Sequence, residues 1–270
     1  MLRAYGLSDK GRIRATNEDH FAIDEHLLLL VVADGMGGHN AGEVAARLAV
    51  EVIVDFVRES RERDPSARGD TWPFGFDPSL SEGGNLLRTA IHLANVRILE
   101  AALSEEYAGM GTTVVAALVA GGQLSVGHVG DSRLYLVATD RIRQLTRDDS
   151  WVADVLARNP DADPGDFKDH PMRNALTNVV GARPCLDVHV VEEPLLDGEH
   201  LVLSTDGVHG VLEERQMERI VLGSPDLTKA PEALVDAALA RGSRDNCTAV
   251  VARYVRPLGP LGPLGPPGPT

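Results

Sequence analysis

The sequence predicts an α+β layered fold, because strand patterns and helix patterns are grouped along the chain and do not alternate. Two pairs of adjacent segments are joined by only two residues, Gly121-Gly122 and Thr139-Asp140, and such short connections are typical of antiparallel hairpins. Two long segments with helical spacing precede this meander. Together these observations predict antiparallel sheets covered by separate helices.

Seven apolar runs rich in valine and leucine have the length and composition of strands. They are Leu27 to Ala33, Thr112 to Ala120, Gln123 to Val129, Leu134 to Ala138, Val188 to Glu192, His200 to Ser204 and Thr248 to Val255. Helices are predicted where apolar residues recur at four-residue steps from Val44 to Phe56, and at helical spacing from Leu87 to Ala102. A third helix is predicted from Pro231 to Arg241, with proline in its first turn and Gly242 just past its end.

Two segments do not have the pattern of a core. Residues 58–84 are rich in charge, proline and glycine, so we expect a surface insertion whose Trp72, Phe74 and Phe76 pack back onto the body. Residues 256–270 consist mainly of a repeated Pro-Leu-Gly, which can build neither a helix nor a central strand. We expect a disordered tail there, with a ligand for a proline-recognising partner as the weaker alternative.

Composition limits the kinds of partner. The chain has 270 residues, 43% of them hydrophobic, and a net charge of −14, which argues against nucleic-acid and anionic-membrane surfaces because both need clustered cations. Cys185 and Cys247 each lie in an apolar, strand-like run without zinc or disulfide spacing, so we expect reduced core thiols. With no apolar signal core and no apolar stretch long enough for a bilayer, a cytoplasmic monomer is expected.

Six carboxylates beside small or polar residues are the strongest functional signal. They are Glu18, Asp19, Asp34, Asp131, Asp206 and Asp245. Three of them, Asp34, Asp131 and Asp206, follow apolar runs and are expected at strand ends, where a carboxylate and a free carbonyl form the oxygen ligands that Mg²⁺ and Mn²⁺ prefer. A single Asp-Gly is more often a turn, but the whole set predicts one hard-metal site, since so many carboxylates would repel without cations.

Eight segments carry a more specific pattern. They are SDKGRIRATNED from Ser8, ADGMGGHNAGEVAA from Ala33, GMGTTVVAAL from Gly109, GHVGDSRLY from Gly127, LTRDDS from Leu145, HPMRNALT from His170, LSTDGVHG from Leu203 and GSRDNCTAVV from Gly242. In this order they closely resemble the bacterial branch of the metal-dependent protein phosphatases, the PPM or type 2C serine/threonine family. The resemblance covers Ser8 to about Val255 and implies one catalytic domain, residues 1–255, with a flap at about 149–180.

The resemblance also implies a fold and an activity. The fold is a four-layer αββα sandwich of two antiparallel sheets flanked by helices, with the active site at one rim. The activity is hydrolysis of phosphoserine and phosphothreonine by a metal-activated water without a covalent intermediate, using two Mn²⁺ or Mg²⁺ ions and a third. Two metals activate a water and neutralise phosphate charge, which a slow phosphate ester hydrolysis needs. The implied partners are phosphorylated proteins, substrates of a bacterial serine/threonine kinase.

Metal-binding roles follow from the same resemblance. Asp34 would bridge two ions, with the carbonyl of Gly35 on one of them. Asp206 and Asp245 would complete the first ion's ligands, and Glu18 would hold the second ion through water. Asp131, sharing Asp206, would hold the third. Supporting positions around these ligands are Asp19, His39 and Asn246.

Substrate-binding roles follow as well, with one departure from the family. Arg14 matches the arginine that grips the phosphate, and Arg173 and Asn174 at the end of the flap would steer substrates. Eukaryotic relatives have a histidine, proposed as the general acid, where this chain has Met36. The proton donor to the leaving group is therefore either a metal-bound water or His39.

Two other functions compete with an active protein phosphatase. A catalytically silent, phosphoprotein-binding module of the same fold would be expected to lack one of Asp34, Asp206 or Asp245, and all three are present. A small-molecule phosphatase would need a deeper, more closed pocket, which the sequence does not show.

Overall fold

The computed structural model describes residues 1–38, 41–62, 72–167 and 170–256. The strands are β1 (Leu2–Asp9), β2 (Asp19–Asp24), β3 (Leu29–Met36), β4 (Gly111–Thr112), β5 (Val114–Ala120), β6 (Gln123–Val129), β7 (Arg133–Ala138), β8 (Arg141–Gln144), β9 (His189–Pro194), β10 (His200–Ser204) and β11 (Cys247–Tyr254). The helices are α1 (Ala41–Glu62), α2 (Glu82–Ala101), α3 (Trp151–Arg158), α4 (Asp206–His209), α5 (Glu214–Gly223) and α6 (Ala230–Ala240). His39 and the tail from residue 257 lie outside the described ranges.

The strands form two sheets, as the family resemblance implied, and the pairing is antiparallel, as the hairpin connections predicted. The first sheet has the order β1-β11-β10-β7-β8, and the second has the order β2-β3-β5-β6-β9, with β4 added beside β3. Both predicted hairpins are present, β5-β6 across Gly121-Gly122 and β7-β8 across Thr139-Asp140. Helices α1 and α2 cover the second sheet, and α4 to α6 cover the first. The result is the four-layer αββα sandwich that the sequence predicted.

The helices pack closely because of small residues at the contact. In α1 the residues Ala45, Ala49, Ile53 and Val57 recur every fourth position and are all fully buried, so the backbone lies close to α2 and the second sheet. Where α2 crosses β6 the sheet has a glycine, Gly127. A Cβ there would lie 2.9 Å from the Cδ1 of Ile91, a separation that real side chains do not adopt.

Several strands differ from the prediction. β1, β2 and β8 were missed because they carry more polar residues than the central strands, and Arg141 and Arg143 of β8 are exposed at the sheet edge. The run from Thr112 splits at Thr113 into β4 and β5, because β3 changes pairing partner there. Asp34 is not at a strand end as predicted, since β3 continues for two more residues to pair with β4.

The predicted insertion and one cysteine are also corrected. α1 continues through Glu62, so residues 58–62 are helical, and α2 begins at Glu82. Of the three aromatic residues, Trp72 packs against the core, whereas Phe76 is 52% exposed. Cys185 is exposed, because its segment bends before β9 begins.

The second cysteine, Cys247, is a buried thiol in β11, as predicted. Among the described residues, no helix has the length and apolar character needed to span a bilayer.

Candidate active site

The predicted carboxylates meet at one rim of the sandwich, where both sheets contribute. Asp34 comes from β3 and Asp131 follows β6, both in the second sheet. Asp206 follows β10 and Asp245 precedes β11, both in the first sheet. Together they border a cleft of about 240 Å³. The full lining is Arg14, Glu18, Asp34, Gly35, Met36, Gly37, Thr113, Asp131, Asn174, Leu176, Asp206 and Asp245.

The backbone of Asp34 is fixed from both sides. Its N–H donates to the Oγ1 of Thr113 at 3.1 Å, and its carbonyl accepts from the Oγ1 of Thr112 and the N–H of Thr113, each at 2.9 Å. The next position must be glycine, because a Cβ on Gly35 would lie 2.0 Å from the carbonyl oxygen of Gly42. The glycine of this Asp-Gly pair is therefore required by packing, within a strand and not in a turn.

Asp206 occupies the N-terminus of the short helix α4, directly after Thr205. A Cβ on the following Gly207 would lie 1.9 Å from the carbonyl oxygen of Asn246, so the strand-helix junction packs directly on the segment that carries Asp245. The Oδ1 of Asp206 is buried and has no hydrogen-bond partner among the described residues. A buried carboxylate oxygen without a donor is costly unless a cation or water satisfies it.

Asn246 joins the parts of the site that are distant in sequence. Its Nδ2 donates to the carbonyls of Lys10 at 2.8 Å and Thr16 at 3.0 Å, and its Oδ1 accepts from the N–H of Glu18 at 2.9 Å. The loop that carries Arg14 is thereby held beside the acidic residues. Arg14 reaches Asp245, with 2.6 Å between its Nη2 and the Oδ2.

Asp19 lies behind the cleft and is 6% exposed. Its Oδ2 accepts from the hydroxyls of Thr205 at 2.9 Å and Thr248 at 2.6 Å, while its Oδ1 has no partner among the described residues. The register of β2 and β3 sets it opposite Asp34. The supporting role that the sequence predicts for Asp19 stays a prediction, and its place behind the cleft is compatible with it.

Burial and mutual repulsion raise the pKa values of these acids. Burial, then the charges of Asp19, Asp206, Asp131 and Asp245, raise the pKa of Asp34 well above its ordinary value. Burial is also the largest cause for Asp19 and Asp131, whose pKa values rise to about 7, and for Asp206, whose pKa rises to about 6. The protein thus holds several acids where their charged forms are disfavoured, and a bound cation would reverse this.

The residues fit a hard divalent cation in their chemistry. The acidic side chains at the cleft offer carboxylate oxygens, and two buried carboxylate oxygens, on Asp206 and on Asp19 behind the cleft, lack partners among the described residues. Within the described ranges, no three acidic, histidine or cysteine side chains converge closely enough to form a finished ligand set. The cleft therefore provides the ligand types and their common location, but the side chains do not form a complete coordination shell.

Comparison with known proteins supplies the family. Residues 12–233 match the family model described as protein phosphatase 2C. The chain is 34% identical over 248 residues to the serine/threonine phosphatase stp of Listeria welshimeri, covering 90% of this chain and 92% of that protein. The chain belongs to the protein phosphatase 2C family.

Solved structures of this family have the same fold. The Mycobacterium tuberculosis serine/threonine phosphatase PstP/Ppp is 30% identical with a TM-score of 0.79, covering 94% of this chain and 99% of that one. The catalytic domain of PstP in complex with two manganese ions is 29% identical with a TM-score of 0.76 over 94% of this chain and 99% of that chain. The family resemblance seen in the sequence motifs is therefore confirmed.

The protein phosphatase 2C cleft extends into a second compartment that sequence reasoning did not identify. Arg133 forms a two-pronged ion pair with Asp148, at 2.8 and 2.7 Å, beside Asp131 and Asp206. Both residues belong to quoted motifs, D-S-R and LTRDDS. Their pairing across fifteen positions could not be seen in the sequence, because it depends on how the chain returns after β8.

His209 also borders this second compartment of the phosphatase cleft. Its Nδ1 lies 3.0 Å from the Oγ of the buried Ser204. Burial lowers the pKa of His209 well below its ordinary value, so the imidazole is neutral at physiological pH. No sequence signal separated it from an ordinary packed histidine.

The two flap residues also border the cleft. Asn174 lines it together with Leu176, and Arg173 lines the adjoining compartment. Their segment is held at its base, where the N–H of Trp151 donates to the carbonyl of Ala175 at 2.8 Å. The structure thus brings Arg14 and Asn174 to one opening.

Proposed function

We propose that this cleft removes phosphate from phosphoserine and phosphothreonine side chains through the residues that border it. The chain is a serine/threonine protein phosphatase of the 2C type, and all acidic positions of the family's motifs are present. The observation that carries the mechanism is the cluster of four aspartates with Arg14 at one opening. The catalytically silent alternative is not favoured.

The metal dependence of the family fits the oxygen-only donor set. Asp34, Asp206 and Asp245 with the carbonyl of Gly35 would hold the first ion, and Asp34 with Glu18 the second. When bound, Mn²⁺ or Mg²⁺ would supply charge neutralisation and an activated water. Support comes from the relative that was solved with two manganese ions and from the unpartnered carboxylate oxygen of Asp206.

The residues of the chain itself act on the phosphate and its carrier. Arg14 presents a planar guanidinium suited to two phosphate oxygens, and its side chain is 50% exposed, so it can turn from Asp245 to a substrate. Asn174 and Arg173 would contact the protein around the phosphorylated residue.

A third ion is a separate proposal. Asp131 and Asp206 would share it, on the side of the cleft that also holds Arg133. We expect Asp131→Ala to keep tight metal binding in calorimetry but to hydrolyse phosphopeptides much more slowly. Full activity of that variant would make Asp131 an ordinary turn residue.

Three further predictions from the sequence stay proposals. They are a bacterial serine/threonine kinase as the enzyme that phosphorylates the substrates, a monomeric state and a cytoplasmic location. The proton donor to the leaving group also stays open between a metal-bound water and His39, which lies outside the described residues.

The experiment that tests this function compares substrate classes. Phosphothreonine and phosphoserine peptides should be hydrolysed with Mn²⁺ at a kcat/KM far above that for sugar phosphates. Asp34→Asn serves as the inactive control, so that contaminating phosphatases are detected. Efficient turnover of sugar phosphates with inert phosphopeptides would contradict the proposal and favour a small-molecule phosphatase.

A further inference from the structure

Three cations belong to the two segments that bring Arg14 and Asp245 to the cleft, in a chain whose net charge is −14. The side chains of Lys10, Arg12 and Arg244 are exposed. Within residues 1–38, 41–62, 72–167 and 170–256, none of the three forms an ion pair or a side-chain hydrogen bond. We call these three residues the basic rim.

The basic rim is assembled by the pairing of β1 with β11. The last pair of this ladder is Asp9 opposite Cys247. The pairing continues beyond the strands, because the carbonyl of Lys10 lies 2.8 Å from the Nδ2 of Asn246 and a Cβ on Gly11 would lie 2.2 Å from the carbonyl oxygen of Asp245. The next residues outward on these two segments are Arg12 and Arg244, so we expect the two arginines to be neighbours.

Two residues of the basic rim, Lys10 and Arg12, belong to the loop that carries Arg14. Arg14 is two residues beyond Arg12 and reaches into the cleft, where it contacts Asp245. Between the two arginines, Ile13 is 63% exposed. A protein segment whose phosphate meets Arg14 would therefore pass over Arg12 and Arg244 on this side.

The acids that neighbour these cations in sequence have other partners. Asp9 uses its Oδ1 to accept from the N–H of Gly11 at 2.7 Å, and Asp245 pairs with Arg14 at 2.6 Å. Like charges held near each other are unfavourable, so a partner of opposite charge would be attracted to them. The acids Glu18, Asp34, Asp131, Asp206 and Asp245, in contrast, line the cleft itself.

We propose that the basic rim docks acidic residues that flank the phosphorylated residue of the substrate, which makes this phosphatase selective for acidic phosphosites. The inference rests on the proposed function, because Arg14 must receive the phosphate. An extended peptide advances roughly 3.3 Å per residue, and Arg12 and Arg14 are two positions apart, so the acidic residue is expected about two or three positions from the phosphorylated one.

The test uses two phosphothreonine peptides that differ only in glutamate or glutamine at the second and third positions on both sides. The wild-type protein with Mn²⁺ should show a higher kcat/KM for the glutamate peptide, by roughly two- to fivefold for each contact, since exposed ion pairs contribute modestly. The preference should shrink as salt is raised, because salt screens exposed charges. In Arg12→Glu/Arg244→Glu the ratio of the two kcat/KM values should fall to one or below.

The chain offers a matched control in the pair Arg3 and Arg253. These exposed arginines are also opposite each other on β1 and β11, but at the other end of the ladder. Arg3→Glu/Arg253→Glu makes the same change in net charge and should keep the preference of the wild type. Turnover of para-nitrophenyl phosphate, which has no flanking residues, shows whether the cleft itself works.

The outcomes separate the docking proposal from the phosphatase function. Equal kcat/KM values for both peptides in the wild type would overturn the docking proposal while leaving the phosphatase function intact. Equal loss of preference in the control pair would also overturn it, since net charge alone would then explain the effect. Absence of turnover of every substrate with Mn²⁺ would instead refute the proposed function.

Discussion

The buried carboxylates of the cleft and the neighbouring buried carboxylate Asp149 have pKa values shifted in opposite directions. Asp34, Asp131 and Asp206 at the cleft have raised pKa values, because burial and neighbouring acids disfavour their charges. Asp149, at the base of the flap, has a lowered pKa although its side chain is only 13% exposed. Burial alone would raise the pKa of Asp149, but its hydrogen bonds outweigh burial.

The difference lies in the donors that surround each group. Asp149 accepts from the ring of His189 at 2.9 Å, from the N–H of Gly130 at 3.0 Å and from the Nδ2 of Asn178 at 2.9 Å. Asp206 has a buried oxygen with no donor among the described residues. A buried carboxylate whose oxygens accept several hydrogen bonds holds loops in place, as Asp149 does. A buried carboxylate oxygen in a cleft without a donor, as in Asp206, is suited to bind a cation.

The largest effect is expected at Asp34. Asp34→Asn should reduce phosphopeptide turnover to background, because the proposed bridging ligand is lost. The same variant should be more stable than the wild type when both are free of metal, since it removes a disfavoured buried charge. Activity and thermal unfolding of the demetallated proteins measure the two effects, and an active Asp34→Asn would end the two-metal assignment.

Arg14→Ala should lower kcat/KM by roughly ten- to a hundredfold, because hydrogen bonds to charged groups contribute about 1.5–3 kcal/mol. Arg14→Lys should restore part of the activity, as it keeps the charge but not the planar fork. Steady-state kinetics with a phosphothreonine peptide measure both. An unchanged kcat/KM in Arg14→Ala would remove Arg14 from the substrate site.

Asp149→Ala should reduce the free energy of unfolding by about 1–3 kcal/mol, since it leaves the N–H of Gly130 without an acceptor and removes one of the two hydrogen bonds of the Asn178 Nδ2. Asp149→Asn keeps one acceptor oxygen and should lose less. Urea denaturation compares the three proteins, and limited proteolysis should show faster cleavage within the flap. An unchanged free energy of unfolding in Asp149→Ala would show that Asp149 does not hold these loops in place, and the comparison with the cleft acids would lose its basis.

A smaller effect is expected in the pH dependence of the metal-free protein. A carboxyl whose pKa is raised on folding binds more protons in the folded state, so stability falls as pH rises through that pKa. For Asp19 and Asp131, with pKa values of about 7, this loss extends from the ordinary value of 3.8 through about 7, and Asp34 continues it higher. Protonated His189, whose pKa its hydrogen bond to Asp149 raises, loses its stabilising effect in the same direction.

Buried neutral histidines act in the opposite direction at lower pH. Burial lowers the pKa of His128 to about 4 and that of His209 well below its ordinary 6.5, so both destabilise the fold as pH falls below 6.5. The melting temperature without metal should therefore decrease as pH rises from about 6.5 through about 7, the pKa of Asp19 and Asp131. A melting temperature that stays constant or rises over this pH range would show that folding does not disfavour the charged forms of the cleft acids. Asp131→Asn should make the slope shallower.

Strand composition and short connections were sufficient for antiparallel pairing, because they are local patterns, and the family resemblance supplied the arrangement in two sheets. The acids of the cleft were found from Asp-Gly junctions and the motifs around them. It missed β1, whose polar exposed side chains hide the strand, although β1 and β11 together assemble the basic rim. It also missed the Arg133–Asp148 pair and the role of Asp149. These contacts depend on loops that return to the sheet, and hydrophobic periodicity carries no information about such returns.

The central claim, that the cleft acids act through a divalent cation on phosphoproteins, is tested most directly by metal titration. Exhaustively demetallated protein should not hydrolyse a phosphothreonine peptide in excess chelator, and added Mn²⁺ should restore turnover with saturation. Asp34→Asn should stay inactive across the titration. Full turnover by the demetallated wild-type protein would contradict the account.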